Sequence, residues 1–249
     1  MSKLLFASVV FATALTSMAR ADDEADAKTI LDAAIKAAGG ETALAKPVAF
    51  YYKFKGTAYE GDKKTPTVGE WFIQGYDKDR SVEFDEDGKV TEIEVLNGKD
   101  GWIKEGDQPT ERQSDDQLAL RRELIYLNWV TMLAPLKGNE FRLSTADETT
   151  VGDRKAVGIV VKHDKHRPVT LYFDKETNLL VEYERKFKDP DKGSDVDEVC
   201  LLSDYRDVQG TKQPFKAEVT WDGAKYVDLT ITEMKLHEKP LDDKLFEKP

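Results

Sequence analysis

The stretch DYRDVQGTKQPFKAEVTWDGAKYVDLTITEMKLHEKPLDDKLFEKP, residues 204–249, divides into strand, turn, strand, turn, strand and a fixed tail. Phe215, Ala217, Val219 and Trp221 fall on one face of an extended chain, and Lys216, Glu218 and Thr220 on the other. A period of two is the mark of a half-buried strand. Asp222-Gly223 reverses the chain, because aspartate and glycine tolerate the positive φ of a tight hairpin. Val227, Leu229 and Ile231 then alternate with Asp228, Thr230 and Thr232, and the tail is expected to tuck Leu245 and Phe246 back onto the sheet. The reading is a consecutive antiparallel meander.

The same grammar runs upstream. Phe50, Tyr52 and Phe54 share a face, and further strands are predicted at 69–74, 81–85, 90–96, 102–104, 141–145, 156–162, 169–173, 179–187 and 199–205. Asp87-Gly88, Asn97-Gly98 and Asp100-Gly101 are turn dipeptides between them. Helices interrupt twice. Asp23 to Ala38 carries Ile30, Leu31, Ala34, Ile35 and Ala38 at helical spacing and stops at Gly39-Gly40, with one further turn over Glu41 to Ala45. Ser114 to Leu136 begins with a capping serine, is too long and leucine-rich for a strand, and reads as one helix bending near Pro135. Its apolar stripe is wide enough to require cover over most of its surface. The fold class expected is mainly β with helices: a curled antiparallel sheet or unclosed β-barrel of about eleven strands, capped by an N-terminal and an inserted helix. Long twisted sheets roll rather than stay flat.

Met1 to Lys3 is basic, Leu4 to Leu15 apolar, and Ala19-Arg20-Ala21 offers small residues where a signal peptidase cuts. Residues 1–21 therefore read as a secretory signal peptide and 22–249 as a single exported domain. The apolar run is too short to span a membrane, so no stable membrane insertion is expected. The net charge is −11, and cleavage would remove Lys3 and Arg20 and make the chain more acidic. Such a surface repels phosphate backbones, which argues against nucleic-acid partners. Cys200 is the sole cysteine among 249 residues, so no internal disulfide is possible. A periplasmic location follows from the signal.

Enzyme signatures are wanting. His163, Asp164 and His166 lie at a predicted hairpin turn and read as a solvated turn, not a metal site; no HExxH and no Gly-x-Ser-x-Gly occurs. Asp189 to Glu198 fails the calcium-loop pattern, because Cys200 stands where a bidentate glutamate belongs. No catalytic residue, metal or cofactor is expected.

Several segments carry a resemblance: the helix ending in Ala-Gly-Gly, LNGKDGW at 96–102, LYFDKETNLL at 171–180, GTKQPF at 210–215 and the closing LFEKP. Together with the signal peptide they resemble the outer-membrane lipoprotein-sorting carrier superfamily of Lol-type periplasmic carriers. That resemblance implies an unclosed barrel whose hydrophobic concavity shelters acyl chains of a lipoprotein or lipid and hands them to an envelope donor or acceptor protein. It also implies binding without chemistry. The strand arginine of that family would fall on Arg80, as a polar contact, although the proline and aromatic expected before it are missing here. From sheet faces and helix, the expected lining is Phe54, Trp71, Ile73, Val82, Phe84, Leu127, Val130, Leu133, Val161 and Leu171. The alternatives are a ligand-free envelope sensor or interaction scaffold, its concavity filled by its own side chains, and a secreted hydrolase.

Overall fold

The computed structural model describes residues 12–189 and 192–249. The signal-peptide reading lies, for residues 1–11, outside the described residues. The first helix, α1 (Ala12–Ala37), begins upstream of the expected Asp23. Neither proline nor glycine interrupts residues 12–37, so nothing in the sequence stops the helix at the expected start. Beyond Gly39 and Gly40, both at positive φ, comes the single turn α2 (Glu41–Leu44).

Six strands then meander: β1 (Ala49–Glu60), β2 (Lys63–Gln74), β3 (Lys78–Phe84), β4 (Val90–Asn97), β5 (Asp100–Glu105) and the two-residue β6 (Glu111–Arg112). Helix α3 (Asp115–Thr131) follows, and then seven more: β7 (Phe141–Val151), β8 (Arg154–His163), β9 (His166–Asp174), β10 (Leu180–Lys188), β11 (Asp195–Val208), β12 (Thr211–Trp221) and β13 (Ala224–His237). They form one 13-stranded antiparallel sheet ordered β6-β5-β4-β3-β2-β1-β13-β12-β11-β10-β9-β8-β7. The first and last long strands pair in its middle, Phe50 opposite Leu236 and Phe54 opposite Ile231 across a bulge. The edges, β6 and β7, do not pair with each other, and α3 carries the chain from one to the other. The sheet is thus curled and unclosed, as expected, with two more strands than the eleven.

Helix α3 is shorter than its sequence suggests. Ser114 Oγ accepts from Gln117 N at 3.3 Å and Gln117 Oε1 accepts from Ser114 N at 2.8 Å, a capping box that fixes the start. The end comes at Thr131 because Leu133 turns to φ 65°, Ala134 N donates to Met132 O at 2.7 Å, and Pro135 disfavours helix before it. A single 3-10 turn, Ala134–Lys137, follows. Helix α1 lays Ala27, Leu31, Ala34 and Ile35 over β7 and β8, while α3 lies over β9 and β10. The tail turns back as expected. Phe246 is fully buried, Leu245 only partly, and Asn97 Nδ2 donates to Phe246 O at 3.2 Å. Among the described residues no helix is long and apolar enough to cross a membrane.

Candidate functional site

Strand alternation sorts the sheet into two faces, and the inner face, roofed by α3, leaves a cavity of about 510 Å³. Phe50, Tyr52 and Phe54 line it from β1, Val227, Leu229 and Ile231 from β13, and Ala217, Val219 and Trp221 from β12. Leu124, Leu127, Met132 and Leu133 form the roof. The lining is mostly apolar, as small-molecule pockets of this size usually are. Gly69 is needed here: a Cβ on it would stand 2.5 Å from the Phe54 ring and 2.7 Å from Val82 O. Without a side chain at 69 the Phe54 ring can lie across β2. Aromatic contacts stiffen both flanks, Tyr52 meeting Trp71 edge-on at 5.6 Å and Trp221 stacking on Tyr226 at 3.4 Å.

Two ion pairs are set into this apolar wall. On α3, Arg121 Nη2 donates to Asp79 Oδ2 at 2.5 Å and Nε to Asp79 Oδ1 at 3.2 Å, while Nη1 reaches Glu94. Trp71 Nε1 adds a donor to Asp79 at 2.9 Å. Asp79 is wholly buried, and burial pushes its carboxyl up against the opposing pull of the guanidinium. Across the cavity Arg185 forks onto Glu198 at 2.7 and 3.2 Å, and Trp221 Nε1 donates to the same carboxylate at 3.1 Å. Every such charge has its hydrogen bonds, which is the condition for keeping it out of water. Cys200 also faces the cavity, where burial pushes its thiol up to about 12. A thiol so protonated is not a nucleophile near neutral pH.

Of the residues expected to line a pocket, Phe54, Trp71, Leu127 and Leu133 surround this cavity. Ile73, Val130, Val161 and Leu171 lie in the solid core, each with no exposed surface. Val82 and Phe84 alternate with Ser81 and Glu83, which face the cavity, so both point to the outer face of the sheet. Arg80 shares that outer face, and its Nη1 donates to Leu245 O of the tail at 3.4 Å. Among the polar residues that line the cavity, Arg121, Glu94, Glu83, Arg185 and Glu198 went unread in the sequence. Arg121 left only a partial signal: it is three residues after Leu118 and four before Ile125 on the α3 stripe, a place that spacing gives equally to Arg122. The β12 and β13 faces were read correctly as strand faces but not taken as pocket wall.

The histidine turn departs from its reading as a solvated turn. His166 stacks on Tyr126 of α3 at 3.9 Å and 4°, and its Nδ1 lies 2.9 Å from Glu123 Oε1. His163 packs against Phe141 and Tyr126. Among the described residues no group of three or more His, Cys, Asp or Glu side chains is arranged to hold a metal.

No protein-family model matches the chain, and no curated protein matches it significantly. Solved structures do. A LolA superfamily protein from Nitrosomonas europaea superposes with a TM-score of 0.57 at 13% identity, over 89% of this chain and 97% of that one. A DUF1329 family protein from Desulfovibrio piger gives 0.60 at 12%, over the same 89% and 97%. A domain described as that of an outer membrane lipoprotein-sorting protein, from Vibrio parahaemolyticus, gives 0.55 at 8%, over 88% and 97%. The likeness is one of fold: the open antiparallel sheet with its helices is similar, over most of its length, to the solved structures of a LolA superfamily protein and of a lipoprotein-sorting protein domain.

Proposed function

We propose that the chain is an exported carrier that shelters the acyl chains of a lipid or lipoprotein between α3 and the inner face of the sheet, and hands them to an envelope partner. The observation that carries this reading is the cavity of about 510 Å³, walled by Phe54, Leu127, Leu229 and Ile231. Each methylene drawn into such a space contributes about 0.8 kcal/mol, so a modest length of hydrocarbon is held without any covalent step. A ligand-free scaffold would need its own side chains in that volume. The basic-apolar-small pattern of residues 1–21 supports export to the periplasm, with 22–249 as one working domain. The thiol is protonated and both arginines are fully engaged with carboxylates, which supports binding in preference to catalysis.

Native mass spectrometry of the chain beginning at Asp22, purified from a periplasm without detergent, tests the reading. A stoichiometric adduct that yields an acyl-chain lipid on organic extraction is the expected result. A bare mass, together with failure to take up a neutral fluorescent lipid, would overturn it.

A further inference from the structure

The cavity is long and narrow. Phe50, Tyr52, Phe54 and Ala58 line it along β1, and the strand between the first and last of them, at about 3.3 Å per residue, is about 26 Å long. A volume of about 510 Å³ spread over that length leaves a mean cross-section of about 20 Å², the girth of one extended hydrocarbon chain. One end is closed by Leu44, Phe50 and Leu236, all buried, and the other opens beside Ala58, Thr67 and the exposed Tyr226. The rest of the inner face is already filled. Among the described residues β7, β8 and β9 add nothing to the lining. There Leu31 and Ile35 of α1 belong with Ile159, Val161 and Leu171 to one buried core. An interior packed in this way gives no room to a second chain unless the helix that fills it moves. The wall asks for no polar group either. Among the described residues the buried side-chain atoms without a hydrogen-bond partner are on Gln113, Tyr126 and Asp228, and none of these three residues lines the cavity.

We infer that the cavity takes a single-chain amphiphile: one straight hydrocarbon chain, laid along β1 from Ala58 to Phe50, with its polar end left outside the open end. An apolar cavity of about 150 Å³ holds one benzene, or about 25 Å³ per carbon, so about 510 Å³ holds a chain of about twenty carbons. Two chains side by side would need twice the cross-section, and the three of a triacylated lipid three times. Such lipids are not sheltered whole. The inference rests on the carrier reading and narrows it, from acyl chains in general to one chain for each protein.

Displacement of a neutral fluorescent lipid from the chain beginning at Asp22 tests this, with lysophosphatidylcholines from decanoyl to tetracosanoyl as competitors, each below its critical micelle concentration. Affinity should rise about fourfold for each added methylene and level off at about twenty carbons. Dioctanoylphosphatidylcholine carries as many acyl carbons as hexadecanoyl-lysophosphatidylcholine but in two short chains, and should bind more weakly by more than about a hundredfold. Met234 lines the cavity opposite Tyr52, towards the closed end, so Met234→Trp should bring the levelling-off to a shorter chain, with circular dichroism showing the sheet intact. Equal binding of the two-chain and one-chain competitors, affinity that climbs unbroken to tetracosanoyl, or a break that does not move in the folded variant would overturn the single-chain assignment and leave the carrier standing. Should Met234→Trp not fold, the first two comparisons on the parent decide. Failure of the probe and of every competitor to bind would remove the carrier reading and this inference with it.

Discussion

Arg121 ties the roof to the floor of the cavity through two carboxylates on different strands, Asp79 on β3 and Glu94 on β4. Removing the guanidinium would strand a wholly buried carboxylate. Arg121→Met should lower stability by about 3–5 kcal/mol, the cost of breaking rather than replacing a buried pair. Adding Asp79→Leu should recover much of the loss, and urea denaturation of both variants reads the difference; additive losses would contradict the pairing. Glu92 makes the opposite prediction. Its pKa rises from 4.5 to about 7 on folding, because burial and Glu94, Glu83 and Glu105 disfavour its charge. The folded state therefore binds more protons than the unfolded state between those values, and stability falls as pH climbs through that window. Glu92→Gln should be more stable than the parent above pH 7, with the gap closing as pH falls towards 4.5. A gap independent of pH would mean the carboxyl is not shifted. Neither residue was legible in the sequence as special. Partners 42 and 27 residues away leave no local pattern, and alternation marks which face a strand residue takes without marking which face is inner. Arg80 and Phe84 were mistaken for inner residues for that reason.

Helix α3 is the one element that joins the two sheet edges, and its two ends are made differently. The start is fixed by chemistry that sequence reading finds, since Ser114 and Gln117 sit three apart and close a reciprocal pair of hydrogen bonds. Ser114→Ala should cost about 1 kcal/mol, seen as a lower denaturation midpoint, with Ser114→Asp restoring most of it; an unchanged midpoint would mean the cap does not hold the helix. The far end is fixed by a backbone turn at Leu133 that uses a positive φ in a residue with a large side chain. No propensity announces such a turn. It is tolerated because Leu133 buries all but 3% of its surface, a tertiary contact that outweighs local strain. The clasp of His166 and Glu123 over Tyr126 was illegible for a similar reason: a hairpin tip reads as solvent-exposed until a helix from elsewhere lands on it.

The whole molecule is a strip of antiparallel hairpins, and this is why so much of its architecture could be read along the chain. All thirteen strands have at least one sequence neighbour beside them across a short connection, and turn dipeptides mark many of the bends. The pairing no local signal predicts is β1 with β13, which brings residues 49 and 237 opposite each other and makes one sheet of two half-meanders. The C-terminal tail reinforces that join from outside. Leu241 N donates to Gln74 Oε1 at 2.6 Å, Lys78 Nζ contacts Asp243 at 2.7 Å, and Phe246 is sealed beneath Lys78 and Asn97 on the outer face. The tail thus fastens the end of the chain to β2, β3 and β4, while the cavity lies on the other side of those strands. Phe246→Ala should cost about 3–5 kcal/mol, as large-to-small changes at buried aromatics do. At a temperature where the variant remains folded, it should bind a fluorescent lipid as tightly as the parent. Circular dichroism melting with a parallel lipid titration separates the two effects. If affinity fell in step with stability, the two faces of the sheet would be coupled; if only stability fell, the outer face holds the fold and the inner face holds the ligand.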